Sequence, residues 1–469
     1  MNDLRLCRPG RHFDVIVLGV GGMGSATVYQ LARRGRRVLG LERFDIPNAM
    51  GSSHGETRII RLPYYEDPAY VVLMQRAYEL WRSIESEAGE RLLHVTGSVD
   101  AGPVDSWVFA GALRSAIEYD LAHEVLSGPE LGERFPGYRL PRETMALYQP
   151  DGGFLRPERC VVAYVEAAMV HGAEVRARER VREWQPTADG VRVITDKDVY
   201  TAERLVVSAG AWNREVLPLL SSIAVPERQV VAWLQPRRPE LFAPSRFPVF
   251  NALVEEGRFY GFPVYGVPGF KFGKYHHREQ HGDPATLDPE PDAVDEDVLG
   301  RFAARYFPDG FGPTMALRTC MFTNSPDHHF VIDLHPEYPQ VSLASPCSGH
   351  GYKFASVVGE IMADLAENGT TRHDISLFSL RRFGLGPVGA RVDRDRNVRT
   401  RVRPLSSRCG QPDRPAAVRP VRRPCVGDDG GPGPGRVDRG DRAREGTEDP
   451  QVDGVPAAVD PGTPRDGGA

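Results

Sequence analysis

The chain has 469 residues, is 41% hydrophobic and carries a net charge of −5. That length allows two or three domains, and so small a charge excludes the strong field that would draw nucleic acid or an anionic membrane. No apolar run of about 18 residues and no signal-peptide pattern after Met1 is present, so a cytoplasmic location without a membrane span is expected.

The cysteines (Cys7, Cys160, Cys320, Cys347, Cys409, Cys425) are scattered without metal-ligand or disulfide spacing. This agrees with a reducing compartment and leaves each thiol free for other chemistry. Of 58 basic residues only four are lysines: Lys197, Lys271, Lys274 and Lys353. A site that needs only positive charge can use either residue, so the few lysines that remain carry added weight.

In chain order, residues 13–18 (Phe-Asp-Val-Ile-Val-Leu) predict a strand. A glycine-rich turn follows, then a helix to about residue 34 with Thr27, Val28, Leu31 and Ala32 on one face. A second strand over 37–42 completes a βαβ unit. Residues 205–208 predict a short buried strand running into Ala209-Gly210-Ala211-Trp212. The stretch 224–280 alternates apolar and polar residues, as antiparallel strands do. A late strand (341–344) and helix (355–365) flank another glycine-rich turn. From about Gly384 the chain contains no aromatic residue, Ile or Met and is dense in Arg, Asp, Pro and Gly. Such a segment buries too little apolar area to offset its ordering entropy, so 384–469 is expected to be disordered. The abrupt change also fits an altered reading frame.

Gly19-Val20-Gly21-Gly22-Met23-Gly24 is a G-x-G-x-x-G turn between strand and helix. Gly19 permits the tight turn, Gly21 lets backbone approach a pyrophosphate, and Gly24 lets helix and strand pack closely. The helix N-terminus offers N–H groups to phosphate. Glu42 stands 18 residues past Gly24, where an acid accepts hydrogen bonds from ribose hydroxyls. The motif leaves FAD and NAD both open, and an ordinary glycine turn would share part of the pattern.

Further segments carry chemistry: His54-Gly55-Glu56-Thr57-Arg58-Ile59-Ile60-Arg61, Tyr260-Gly261-Phe262-Pro263, Lys271 between Phe270 and Phe272, Cys320-Met321, Asp333-Leu334-His335-Pro336, and Ser348-Gly349-His350-Gly351-Tyr352-Lys353. Alone, each has a plain reading: solvated arginines, a surface lysine, an inert core cysteine, packed aromatics. In this order, with the glycine turn and 208–212, they resemble the monomeric sarcosine oxidase and N-methyltryptophan oxidase family of flavoproteins. The likeness runs from about residue 13 to 383.

The resemblance implies an α/β protein. A Rossmann-like FAD-binding domain would be assembled from 12–93, 155–223 and 327–383. A second domain, on a largely antiparallel sheet, would comprise 94–154 and 224–326. It implies FAD held covalently through Cys320, and Lys271 beside the flavin as the cation that activates O2. Arg61 and Lys353 would hold the substrate carboxylate, Arg58 and His54 would stand next to the flavin, and Tyr260 would wall the pocket. Arg43, Ser52, Gly210, Trp212, Met321, Gly349, His350 and Gly351 would join the cofactor's surroundings. The implied reaction is oxidation of a secondary (N-methyl) amino acid such as sarcosine: hydride transfer to flavin, imine hydrolysis to aldehyde and amine, and H2O2 from O2. The partners expected are that small molecule and O2, with the chain a monomer. N-methyltryptophan and a pipecolate-type cyclic amino acid are the alternatives within the family; a nicotinamide-dependent dehydrogenase and a non-catalytic flavin binder are those outside it. The chain departs from the family at Ser53-His54, where two histidines are usual, and at Tyr275, where some members have His.

Overall fold

The strand His12–Leu18 is apolar and buried on both faces from Val15 onward, as a strand in the middle of a parallel sheet must be. In the computed structural model, which describes residues 11–345 and 348–386, it pairs in parallel with Val38–Leu41 on one side and Val199–Val207 on the other. Glu174–Arg176 and Val341–Ala344 extend the parallel core. The helices Gly22–Arg33, Pro157–Val170 and Ala355–Asn368 cover one face through a cluster that includes Val28, Leu31, Cys160, Val358 and Ile361. Each such large aliphatic side chain contributes roughly 1.5–3 kcal/mol by burial.

The expected βαβ unit is present with strand ends shifted by a residue. The strand expected over 205–208 is instead the end of the longer Val199–Val207. Its first half turns back antiparallel on Gly190–Thr195, and only Leu205–Val207 is buried in succession. The late helix runs past residue 365 to Asn368 and ends where Gly369 adopts φ +69°, a left-handed cap.

The second large sheet is antiparallel throughout except where Val249–Val254 runs parallel to Ser98–Pro103. The antiparallel character expected for 224–280 is seen in Val225–Leu234, Val249–Val254, Gly257–Phe262 and Phe270–Lys274. Thr314–Asn324 forms one edge against Val225–Leu234. One face packs a phenylalanine-rich core on the helix Ala293–Tyr306, including Phe250, Phe259, Phe270, Phe272 and Phe302. Because side chains alternate along a strand, Tyr260, Phe262, Lys271, Arg318 and Cys320 fall on the opposite face. A small antiparallel sheet joins Arg58–Ile60, Gly153–Leu155 and Leu93–Val95.

No helix among the described residues is long and apolar enough to cross a membrane. The chain divides into units 1–395 and 396–469, and only the first holds described residues. Beyond residue 386, the segment expected to be disordered lies outside the described residues.

Candidate active site

The parallel strands bring two turns together. Leu18 is in register with Val207, so the glycine turn and 208–212 leave the sheet side by side at its carboxyl end, where such sheets bind ligands. A Cβ on Gly24 would lie 1.7 Å from the Gly19 carbonyl oxygen, so only glycine lets the helix approach the turn. Gly19 itself has φ +88° and would clash with the Ser208 carbonyl. Gly21, by contrast, would meet only Ser53 Oγ at 3.6 Å, and Gly210, at φ +56°, would meet nothing within 4 Å. Gly19, Gly21 and Gly210 line a long cavity that runs from this turn to Cys320; Gly24 stands behind it.

Glu42 is buried and lines the same cavity. Its two oxygens accept the N–H groups of Val20 (2.9 Å) and Phe44 (3.0 Å), which fixes the carboxylate beside the turn. Burial raises its pKa despite these bonds. A carboxylate has further lone pairs, so ribose hydroxyls can still donate to it. Arg43 stacks on Trp212 at 5.3 Å and pairs with Glu215 at 3.3 Å. Trp212 Nε1 is a buried donor on this cavity without a partner among the described residues. An open glycine cradle, a fixed carboxylate and a spare donor fit the dinucleotide of FAD.

At the far end lies Cys320. Burial alone would push its thiol up, but His54, Arg58 and Lys271 outweigh it and bring the pKa down to about 7. Arg58 Nη2 is 3.6 Å from the sulfur and donates to the Ser52 carbonyl at 3.0 Å. Ser52 Oγ donates to the Met321 carbonyl at 2.6 Å, tying the two segments together. A thiol so placed is substantially thiolate at neutral pH and is a nucleophile.

Lys271 is buried and does not line the cavity itself; Gly55 and Phe262, which it touches, do. Its Nζ donates to Thr57 O (3.0 Å), Thr57 Oγ1 (2.9 Å) and the Gly55 carbonyl. Burial, then Arg58, push its pKa well below the ordinary lysine value. The partners serve both protonation states. An ammonium donates to all three oxygens, while an amine can donate to the two carbonyls and accept from the Thr57 hydroxyl.

The Gly349–Lys353 turn supplies the cavity's third side. Gly349 has φ +73°. The His350 ring is held by Tyr64 Oη at 2.7 Å and by the His328 carbonyl at 3.0 Å, and burial lowers its pKa to about 3, so it is neutral. Lys353 Nζ donates to the His350 carbonyl at 2.8 Å. Burial, then Arg61, lower its pKa to about 7. Tyr260 crosses the sheet face over Gly273, where a Cβ would lie 2.7 Å from its hydroxyl.

Arg61 departs from expectation in its surroundings: it does not line the cavity and is only 1% exposed. It donates to Glu66 at 2.8 Å and to the Pro63 carbonyl, lies 3.6 Å from Asp100, and stacks on Tyr65 at 3.7 Å. Asn251 donates to Asp100 at 2.9 Å, and burial raises that carboxyl to about 6. Arg61→Ala is expected to lose about 3–5 kcal/mol of stability, because Glu66 and Asp100 are left buried without their cation. Urea unfolding of wild type and variant measures this; equal midpoints would show that the ion pairs contribute nothing.

Of the other expected residues, Arg43, Ser52, His54, Arg58, Trp212, Tyr260, Cys320, Met321, His350, Gly351 and Lys353 all line the cavity. Glu66, Asp100 and Asn251 join the Arg61 group without a mark in the sequence beyond one acid in the middle of the strand Ser98–Pro103.

Residues 14–365 match the family described as DAO, FAD dependent oxidoreductase. The chain belongs to that family and is an FAD-dependent amine oxidase, which decides between the dinucleotides the glycine motif left open. Within the family it is similar to monomeric sarcosine oxidase from Streptomyces avermitilis: 43% identical over 384 residues, covering 80% of this chain and 99% of that one. N-methyl-L-tryptophan oxidase from Yersinia pestis is 34% identical over 372 residues, covering 79% and 99%. Among solved structures, NikD, an unusual amino acid oxidase essential for nikkomycin biosynthesis, superposes with a TM-score of 0.70 at 28% identity, over 79% of this chain and 97% of that one.

Proposed function

We propose that this protein oxidises a secondary (N-methyl) amino acid, sarcosine being the simplest, with FAD tethered through Cys320. The observation that carries this reading is the convergence of His54, Arg58 and Lys271 on a thiol whose pKa they bring to about 7, at the far end of a cavity that begins at the glycine turn. We infer that the segments 12–93, 155–223 and 327–383 hold the cofactor and that 94–154 and 224–326 roof it. FAD, when bound, accepts two electrons from the substrate and passes them to O2 as H2O2, leaving an imine that hydrolyses to aldehyde and amine. The protein binds, orients and balances charge.

Arg61 and Lys353 act on each other and on two carboxylates, Glu66 and Asp100. Arg61 is taken up by Glu66 and Asp100. Lys353 faces the cavity and takes the substrate carboxylate; Arg61 stands behind and, after burial, helps to lower the lysine's pKa. Tyr260 and Tyr275 wall the space for the amine. Lys271, when protonated, places a fixed positive charge next to the cavity, where it stabilises the anion that forms as oxygen is reduced.

Lys353 gives a pH test. Its pKa is lowered, so its ammonium is lost as pH rises through about 7. Methoxyacetate, a carboxylate without an amine, is expected to bind more weakly above pH 7, and Lys353→Arg to keep its affinity level into the alkaline range. Titration of the holoenzyme by flavin absorbance reads both, and a flat profile for wild type contradicts the assignment. The broader reading is tested by a peroxide-coupled screen of sarcosine, N-methyltryptophan, pipecolate and proline. Peroxide from sarcosine is expected. No peroxide from any of the four would overturn the proposal.

A further inference from the structure

The strand Gly257–Phe262 presents every second side chain to one face. Phe262 and Tyr260 line the flavin cavity; Arg258, one step further, lines a second. Tyr275 and His350 line both, so the two cavities adjoin across these side chains.

The side chain of Arg258 is 11% exposed. Its guanidinium carbon lies 3.5 Å from the centre of the Tyr275 ring and 4.8 Å from that of Trp107. The aromatic contacts orient the guanidinium without using its N–H groups, and none of these has a hydrogen-bond acceptor among the described residues. Its one ion pair there is long: Glu66 Oε1 is 3.9 Å from Nη1, while Glu66 gives its other oxygen to Arg61 at 2.8 Å. None of the other charged groups on this cavity pairs with Arg258 among the described residues. Asp327 is bound by Arg382 at 2.7 Å, His276 pairs with Glu227 at 2.8 Å, and Glu279 is exposed. Lys274, half-buried, has no ion-pair partner among the described residues. A mostly buried, stacked guanidinium with its N–H edge free of hydrogen bonds, on a cavity that Lys274 also lines, matches a carboxylate, which takes two parallel hydrogen bonds from such an edge.

We propose that this second cavity binds an acidic substituent of the substrate at Arg258, with Lys274 beside it. The preferred substrate class is then a secondary amino acid whose side chain ends in a carboxylate. The amine lies in the flavin cavity and the side chain reaches past Tyr275. This rests on the amine-oxidase reading above and adds the side chain's chemistry to it.

N-methyl-L-glutamate and N-methyl-L-glutamine have the same shape and differ in charge, so their kcat/KM ratio isolates the contact. Wild type is expected to favour the glutamate by roughly tenfold or more, as for a hydrogen-bonded charge pair. Arg258→Gln is expected to bring the ratio to about one, and Arg258→Lys, which keeps the charge and loses the fork, to an intermediate value. A wild-type ratio of one or below overturns the proposal. So does Arg258→Gln lowering sarcosine and N-methylglutamate by the same factor, since the arginine would then serve the α-carboxylate or the fold. Calorimetry of the holoenzyme with glutarate separates the two readings. If no amine is oxidised, the reading of the flavin site fails alone: glutarate heat with wild type and none with Arg258→Gln carries the second cavity, and equal heats with both sink it.

Discussion

Lys271→Met is expected to slow reoxidation of the reduced enzyme by O2 about 100-fold or more, the scale of removing one preorganised charge from a developing anion. The anaerobic half-reaction with substrate should change far less, because Lys271 lies behind Gly55 and Phe262 rather than on the cavity surface. Stopped-flow mixing with substrate under argon, and separately with oxygenated buffer, resolves the two. The lowered pKa of Lys271 gives the sign of the pH effect: its ammonium is lost as pH rises through that lowered value, so the wild-type oxygen rate falls towards alkaline pH. A methionine side chain does not titrate, so that fall should be absent from the variant. Equal oxygen rates in both proteins would remove Lys271 from the role.

Cys320→Ala is expected to abolish the tether altogether. Acid-precipitated wild type is expected to keep its yellow colour in the pellet, and the variant to release its flavin to the supernatant. The pH dependence follows from the thiolate. With the thiol brought down to about 7, attachment of FAD to apoprotein should quicken between pH 6 and pH 8 and then level off. His54→Ala and Arg58→Met remove partners that lower this pKa, so both should move the rise to higher pH. Release of all flavin from acid-precipitated wild type would contradict the tether while leaving FAD binding intact.

The dinucleotide half of the site was legible because its requirements are local. Gly24 must lack a Cβ for the Gly19 carbonyl to fit, and strand, turn and helix follow one another in the chain. The redox end was legible only through resemblance. What makes Cys320 unusual is supplied by His54 and Arg58, some 260 residues away, and by Lys271. Nothing within its own strand distinguishes it from Cys160, which is also buried but has its pKa raised by burial. Arg61 shows the limit from the other side. Its type and position were readable, but its partner Asp100 comes from a separate strand, and a sequence does not show that an arginine is already neutralised. Arg258 was not legible for the same reason: the rings it stacks on, Tyr275 and Trp107, meet it only in the fold.

The most direct test is the mass of the protein purified with its flavin and then fully denatured. The proposed tether requires an intact mass greater than that of the polypeptide by one FAD, with the added mass located by proteolysis on the peptide that contains Cys320. A denatured chain at its unmodified mass, or flavin found on a different residue, would contradict it.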